Sequence, residues 1–202
     1  MEKTMNKIIV VFALALATGC GTIPQLPPPE VEWIVDKGVD KFTDEKICHV
    51  TVGSLYTHQG VYTYMNHFYP FVEIVNGELS IGVKSGGKIQ IPVGDIQLRV
   101  DKNKPWTITV SETPLKTAAS NIPEVTAENK KVFEYAYNQA MKATAPYTST
   151  TGKKAQAILK EMLDGNILIY RNLSLNQMES TAGEYKLDDS FRRALNTCNI
   201  SL

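Results

Sequence analysis

Between Phe71 and Val110 apolar and polar residues alternate with a period of two, and this narrows the possible folds more than any other feature. In "LSIGV" Leu79, Ile81 and Val83 alternate with Ser80 and Gly82. In "IQLRV" Ile96, Leu98 and Val100 alternate with Gln97 and Arg99, and in "WTITV" Trp106, Ile108 and Val110 alternate with Thr107 and Thr109. Successive side chains of a strand point to opposite faces, so this pattern marks strands with one dry and one wet face, as in antiparallel sheets. The punctuation agrees. Asn76-Gly77, Gly86-Gly87 and "DKNKP" at 101–105 are hairpin signals. The expected strands are 69–75, 78–84, 88–92, 95–101 and 105–111, forming a meander that an earlier hairpin at 47–56 and 61–66 extends.

The second half changes period. "TAENKKVFEYAYNQAMKATAP" places Val132, Phe133, Ala136, Tyr137, Ala140 and Met141 on one helical face, with Thr126 as N-cap and Pro146 as the stop. "GKKAQAILKEMLDG" repeats the pattern with Ala155, Ile158, Leu159, Met162 and Leu163, and Gly165 stands at the C′ position. A short strand, "NILIYRNL", follows. The chain closes on "LDDSFRRALNTC", in which Phe191, Ala194, Leu195 and Cys198 share a stripe and Asp188 or Asp189 caps the helix. The expectation is an α+β fold: an antiparallel β-meander with one apolar face, covered by two to three helices from the C-terminal half.

The first thirty residues have a different logic. "IIVVFALALA", Ile8 to Ala17, follows Lys3 and Lys7. As a helix it would span about 15 Å, half of a ~30 Å hydrocarbon core. That length suits the apolar region of a secretory signal. The run stops at "ATGC", and this stretch resembles the lipobox of bacterial lipoproteins. The resemblance, confined to residues 1–20, implies removal of residues 1–19 and acylation of Cys20 as the new N-terminus, with palmitate among the chains. It also implies a cell-envelope location, and Gly21 after the cysteine is compatible with the outer membrane, facing the periplasm, of a Gram-negative cell. Two or three acyl chains anchor a protein firmly where one does not. Residues 20–30, "CGTIPQLPPPE", then read as a polyproline tether reaching about 30 Å, and 31–202 as a single globular domain.

Loss of residues 1–19 removes Lys3, Lys7 and Glu2 from 21 basic and 21 acidic side chains, leaving a net charge of −1. A nucleic-acid binder would carry a basic excess, so no nucleic-acid partner is expected. With 43% apolar residues the domain can bury a core. Acylation would use Cys20 and leave Cys48 and Cys198 in an oxidising compartment, where an even pair is expected to form a disulfide.

Chemistry-bearing residues concentrate in "CHVTVGSLYTHQGVYTYMNHFYPF", residues 48–71, which contains His49, His58 and His67, all the histidines of the chain. Their nine-residue spacing matches no helical or strand metal site, and no metal or other cofactor is expected. Two readings stay open. In one, the stretch is a hairpin whose tyrosines pack across strands. In the other, His58, Tyr62, Tyr64, His67 and Tyr69 form a contact surface for an envelope glycan, peptide or protein. Elsewhere "STTGKKA" lacks the first glycine of a phosphate loop, and neither G-x-S-x-G nor H-E-x-x-H occurs. No catalytic residue can be named. The expected function is a membrane-anchored, non-catalytic adaptor, assembly or surface-modulating binding protein. The alternative is a small periplasmic hydrolase acting on wall or lipid substrates.

Overall fold

The computed structural model describes residues 31–39, 41, 44–56, 60–62, 67–75, 77–87, 89–115, 127–173 and 182–202. Strands β1 (Glu32–Val39), β2 (Lys46–Tyr56), β4 (Phe68–Val75), β5 (Glu78–Ser85) and β8 (Tyr147–Thr151) pair in that order, and the short β3 (Gly60–Tyr62) pairs with β2. A second sheet has the order β10 (Ala182–Lys186), β9 (Ile167–Asn172), β6 (Ile96–Val100), β7 (Trp106–Ile108). Every pairing in both sheets is antiparallel. Among the described residues three helices complete the fold: α1 (Ala127–Ala143), α2 (Gly152–Asp164) and α3 (Asp189–Thr197). The chain is an α+β fold containing a β-meander, β2–β4–β5, with its helices in the C-terminal half.

Alternation decides what is buried. Val50, Val52, Val72, Ile81 and Val83 of the first sheet join Ile96, Leu98, Val100, Leu168 and Tyr170 of the second in one apolar cluster. Helix α2 adds Ala155, Ile158, Leu159 and Met162 to it, and α3 adds Phe191, Ala194 and Leu195. Helix α2 lies against β5 and β8, and α3 against β1 and β2. At β8 the backbones approach closely, because a Cβ on Gly82 would stand 2.0 Å from the Thr148 carbonyl oxygen. Only glycine fits there.

Four expectations change. The five strands expected in one meander divide between two sheets, because the chain leaves the first after β5 and begins β6 elsewhere. The strand expected at 88–92 is absent from the described residues 89–92. Pro92 has no N–H to give a ladder. The Ile91 N–H bonds the Ser85 hydroxyl and the Val93 N–H the Ala145 carbonyl. Helix α1 exists, but its apolar stripe faces outward. Val132 is 70% exposed, and Phe133, Ala136, Ala140 and Met141 are exposed too. Its half-buried residues are Glu134, Tyr137, Asn138, Gln139 and Lys142, the last donating to the Ser111 carbonyl. Two helices therefore cover the core. Gly165 follows α2 with φ −96°, outside the left-handed region. Its requirement is steric instead, since a Cβ would lie 2.2 Å from Val100 Cγ1.

Two other expectations hold. Cys48 and Cys198 form a disulfide with a Cα separation of 5.6 Å, and they are 150 residues apart in sequence. Asp188 caps α3 by accepting from the Ser190 N–H at 2.8 Å. Desolvation alone would raise the pKa of this carboxyl. Hydrogen bonds from the Ser190 hydroxyl and the Ser190 and Phe191 amides, with Arg193 nearby, outweigh it and hold the carboxyl below the usual range. The cap should therefore stabilise the fold above pH ~4, where the unfolded carboxyl is ionised, and lose its effect as pH falls through the lowered folded value. Asp188→Ala should cost about 1 kcal/mol at neutral pH and progressively less below pH ~4, which urea unfolding at several pH values would measure. Thiol counting on denatured Cys20→Ala chain should find no reactive thiol before reduction and two after it.

Candidate functional site

The register of the larger sheet lines up one row of polar residues. Asp36 of β1 lies opposite His49 of β2, His49 opposite Glu73 of β4, Glu73 opposite Ser80 of β5, and Ser80 opposite Thr151 of β8. Their sequence neighbours Val50, Val72 and Ile81 point the other way, into the core. The row is therefore the polar counterpart of the core face, yet its centre is dry. His49 is 9% exposed and Glu73 1%. A buried carboxylate requires a partner, and His49 Nδ1 lies 3.0 Å from Glu73 Oε2. The imidazole also stacks on Phe71, with centroids 5.1 Å apart and 26° between planes. A cleft of about 370 Å³ opens over the row, lined by Asp36, His49, Phe71, Glu73, Lys84 and Tyr147 among others.

A carboxylate on Nδ1 fixes the orientation of the imidazole, which makes His49 a positioned proton acceptor or hydrogen-bond group. It does not make a serine relay. Nucleophile activation needs the order serine, histidine, carboxylate, whereas here Glu73 stands between Ser80 and His49 along the row. Among the described residues no three His, Cys, Asp or Glu side chains converge as metal ligands.

The residues singled out from sequence separate. Cys20, His58 and Tyr64 lie outside the described residues. Tyr62 falls on β3, its backbone paired with Ser54. His67 is exposed just before β4, and its carbonyl accepts from the Gly86 N–H. Tyr69 is buried in the core cluster. Near it the Tyr170 hydroxyl donates to the Phe68 carbonyl, and its ring stacks on Tyr185 at 6.1 Å. Burial, then the neighbouring Tyr185 and Tyr69 phenols, push the Tyr170 phenol far up, so it remains a neutral donor.

The His49–Glu73 pair was missed. Its available signal was Glu73 itself, a single carboxylate inside the apolar strand "FYPFVEIV". Comparison with known proteins identifies no family model, no curated protein and no solved structure to which the chain is similar.

The pair should carry stability as well as chemistry. Glu73→Ala removes the acceptor on Nδ1 of a buried imidazole and should cost about 1–3 kcal/mol. Glu73→Gln keeps an acceptor for Nδ1–H and should cost clearly less, as denaturant midpoints of the two variants would show.

Proposed function

We propose that the chain is a lipid-anchored cell-envelope protein that acts by binding an envelope protein or glycan, in a Gram-negative host at the periplasmic side of the outer membrane. The Cys48–Cys198 disulfide carries this reading. Such bonds persist in oxidising compartments, so the bond supports export. It also occupies both cysteines of the domain, leaving Cys20 as the thiol at the lipobox-like "ATGC". None of the described helices is long and apolar enough to cross a membrane. The anchor in this reading is the acylated N-terminus, followed by a tether of about 30 Å.

The binding role rests on the cleft over the polar row. Phe71 and Tyr147 at its lining offer aromatic area, with Asp36 and Lys84 as charged groups beside it, an arrangement that fits aromatic contact area with a polar rim. The carboxylate placed between Ser80 and His49 weighs against the hydrolase alternative.

Mass spectrometry of membrane-extracted protein tests the anchor. The expected product begins at Cys20 with added acyl mass, and Cys20→Ala should yield an acyl-free chain. Equal mass and equal membrane retention in the two would sink the reading.

A further inference from the structure

The outer face of the smaller sheet carries two arginines on neighbouring strands. Gln97 of β6 pairs with Arg171 of β9, and Arg99 pairs with Ile169. Arg99 and Arg171 are thus diagonal neighbours on one face, about 7–8 Å apart at their backbones. Both are exposed. Their inward neighbours Leu98, Val100 and Tyr170 are core residues, so the alternation that buries those side chains fixes the two arginines outward.

The Arg171 guanidinium is held in one orientation without being neutralised. Its Nε–H and an Nη2–H donate to Gln97 Oε1 at 2.9 and 2.7 Å. Gln97 is held in turn, donating from Nε2 to Thr107 Oγ1 on β7 at 3.2 Å. A glutamate at position 97 would make the same contact and cancel the charge. Glutamine leaves the full positive charge and three of the five N–H donors of Arg171 for another acceptor. The Arg99 side chain makes no hydrogen bond or ion pair among the described residues, and neither arginine pairs with Glu184, the carboxylate opposite Ile169.

The space between them is concave. A cleft of about 230 Å³ is lined by Gln97, Arg99, Pro105, Ile169, Tyr170 and Arg171. At ~30 Å³ per water this is room for about eight waters, enough for one tetrahedral oxyanion and part of its hydration. Planar guanidinium forks match phosphate oxygens bidentately, and a preorganised fork loses less entropy on binding.

We infer that Arg99 and Arg171, with Gln97 as the positioning residue, form a binding site for a phosphate group. Its source is either a phospholipid headgroup or a soluble phosphate-bearing molecule. The site does not depend on lipid anchoring or on the cleft of the larger sheet.

The test uses the full Cys20→Ala chain, so that acyl groups contribute nothing. Inorganic phosphate is titrated at constant ionic strength against chloride, following the arginine Nε–H and Gln97 amide resonances. The expected result is a saturable shift of these signals with phosphate and none with chloride. Arg99→Gln and Arg171→Gln should each weaken binding about tenfold, and the double variant should abolish it. Gln97→Glu, which keeps the contact and cancels the charge, should weaken it likewise. All three substituted positions are exposed or half-buried, and an unchanged melting temperature in each variant confirms an intact sheet. In a second arm, phosphatidylglycerol and phosphatidylcholine vesicles are compared. Preference for the anionic vesicles that disappears in the double variant assigns the headgroup, and phosphate binding without it assigns a soluble ligand. A phosphate response unchanged in the double variant overturns the site. So does the absence of saturable shifts together with equal vesicle binding by the parent chain and the double variant.

Discussion

The disulfide between Cys48 and Cys198 joins the second strand to the end of the last helix, so most of the domain lies inside one covalent loop. In the chain-entropy account a loop of this length restricts the unfolded ensemble by about 5 kcal/mol, the upper end of what such bonds contribute. The bond needs the two chain ends together, and the neighbouring contacts bring them there. Trp33 of β1 donates its backbone N–H to the Ser190 hydroxyl and its indole N–H to the Lys186 carbonyl. Its ring meets Phe191 of α3 at 4.7 Å. Strand β1 therefore pairs with β2 along its backbone and meets α3 through both the Trp33 N–H and the Trp33 ring. The covalent link reinforces a closure that packing and hydrogen bonding already make.

With that closure in place the larger sheet is buried on both faces for much of its width, and the two faces solve different problems. The core face needs only apolar area. The other face holds Thr51, Glu73, Ser80 and Ser149 at low exposure, and each polar group there must find a partner or cost stability. Thr51 gives its hydroxyl to the Pro70 carbonyl, and Glu73 meets His49. Replacing this pair with apolar side chains would often be neutral or better for stability. Its presence at the floor of a cleft is what makes the position a functional candidate.

The alternating segments were legible because their burial alternates. Strand β6 reads buried, partly buried, buried, exposed, buried, and the sequence "IQLRV" says as much. The elements that escaped reading break that link for identifiable reasons. In β1 the adjacent Trp33 and Ile34 are both buried, so no period of two appears. Strand β8, "YTSTT", offers no apolar residue besides Tyr147, yet Thr148, Ser149 and Thr150 are all buried. The hydroxyls of Thr148 and Thr150 reach the Gly94 carbonyl and the Glu112 carboxylate, and the Thr113 hydroxyl accepts the Ser149 N–H. Those partners lie 36–54 residues away, and hydrophobicity cannot announce them. Helix α1 shows the reverse, an apolar stripe with correct helical period and no core beneath it. Periodicity names the face of a helix but not what the face meets. The same limit hid both candidate sites, since His49–Glu73 and Gln97–Arg171 depend on register between strands distant in sequence.

Register also explains why the two arginines could serve as a fixed clamp on a small sheet. Tyr170 and Arg171 are successive residues of β9, so one points inward and the other outward. The inward phenol donates to the Phe68 carbonyl at the start of β4, tying the second sheet to the first. Burial keeps that phenol protonated well above the physiological range, so the tie does not titrate away. On the neighbouring strand Leu98, buried opposite Tyr170, lies between Gln97 and Arg99 in the same manner. Each outward group of the clamp is thus flanked along its own strand by buried side chains. Residues on exposed loops would have to be ordered on binding, at a cost of about 0.5–1.5 kcal/mol for each mobile side chain. Here the backbone is already held from beneath, and the Gln97 contacts remove much of the freedom of Arg171 before any ligand arrives.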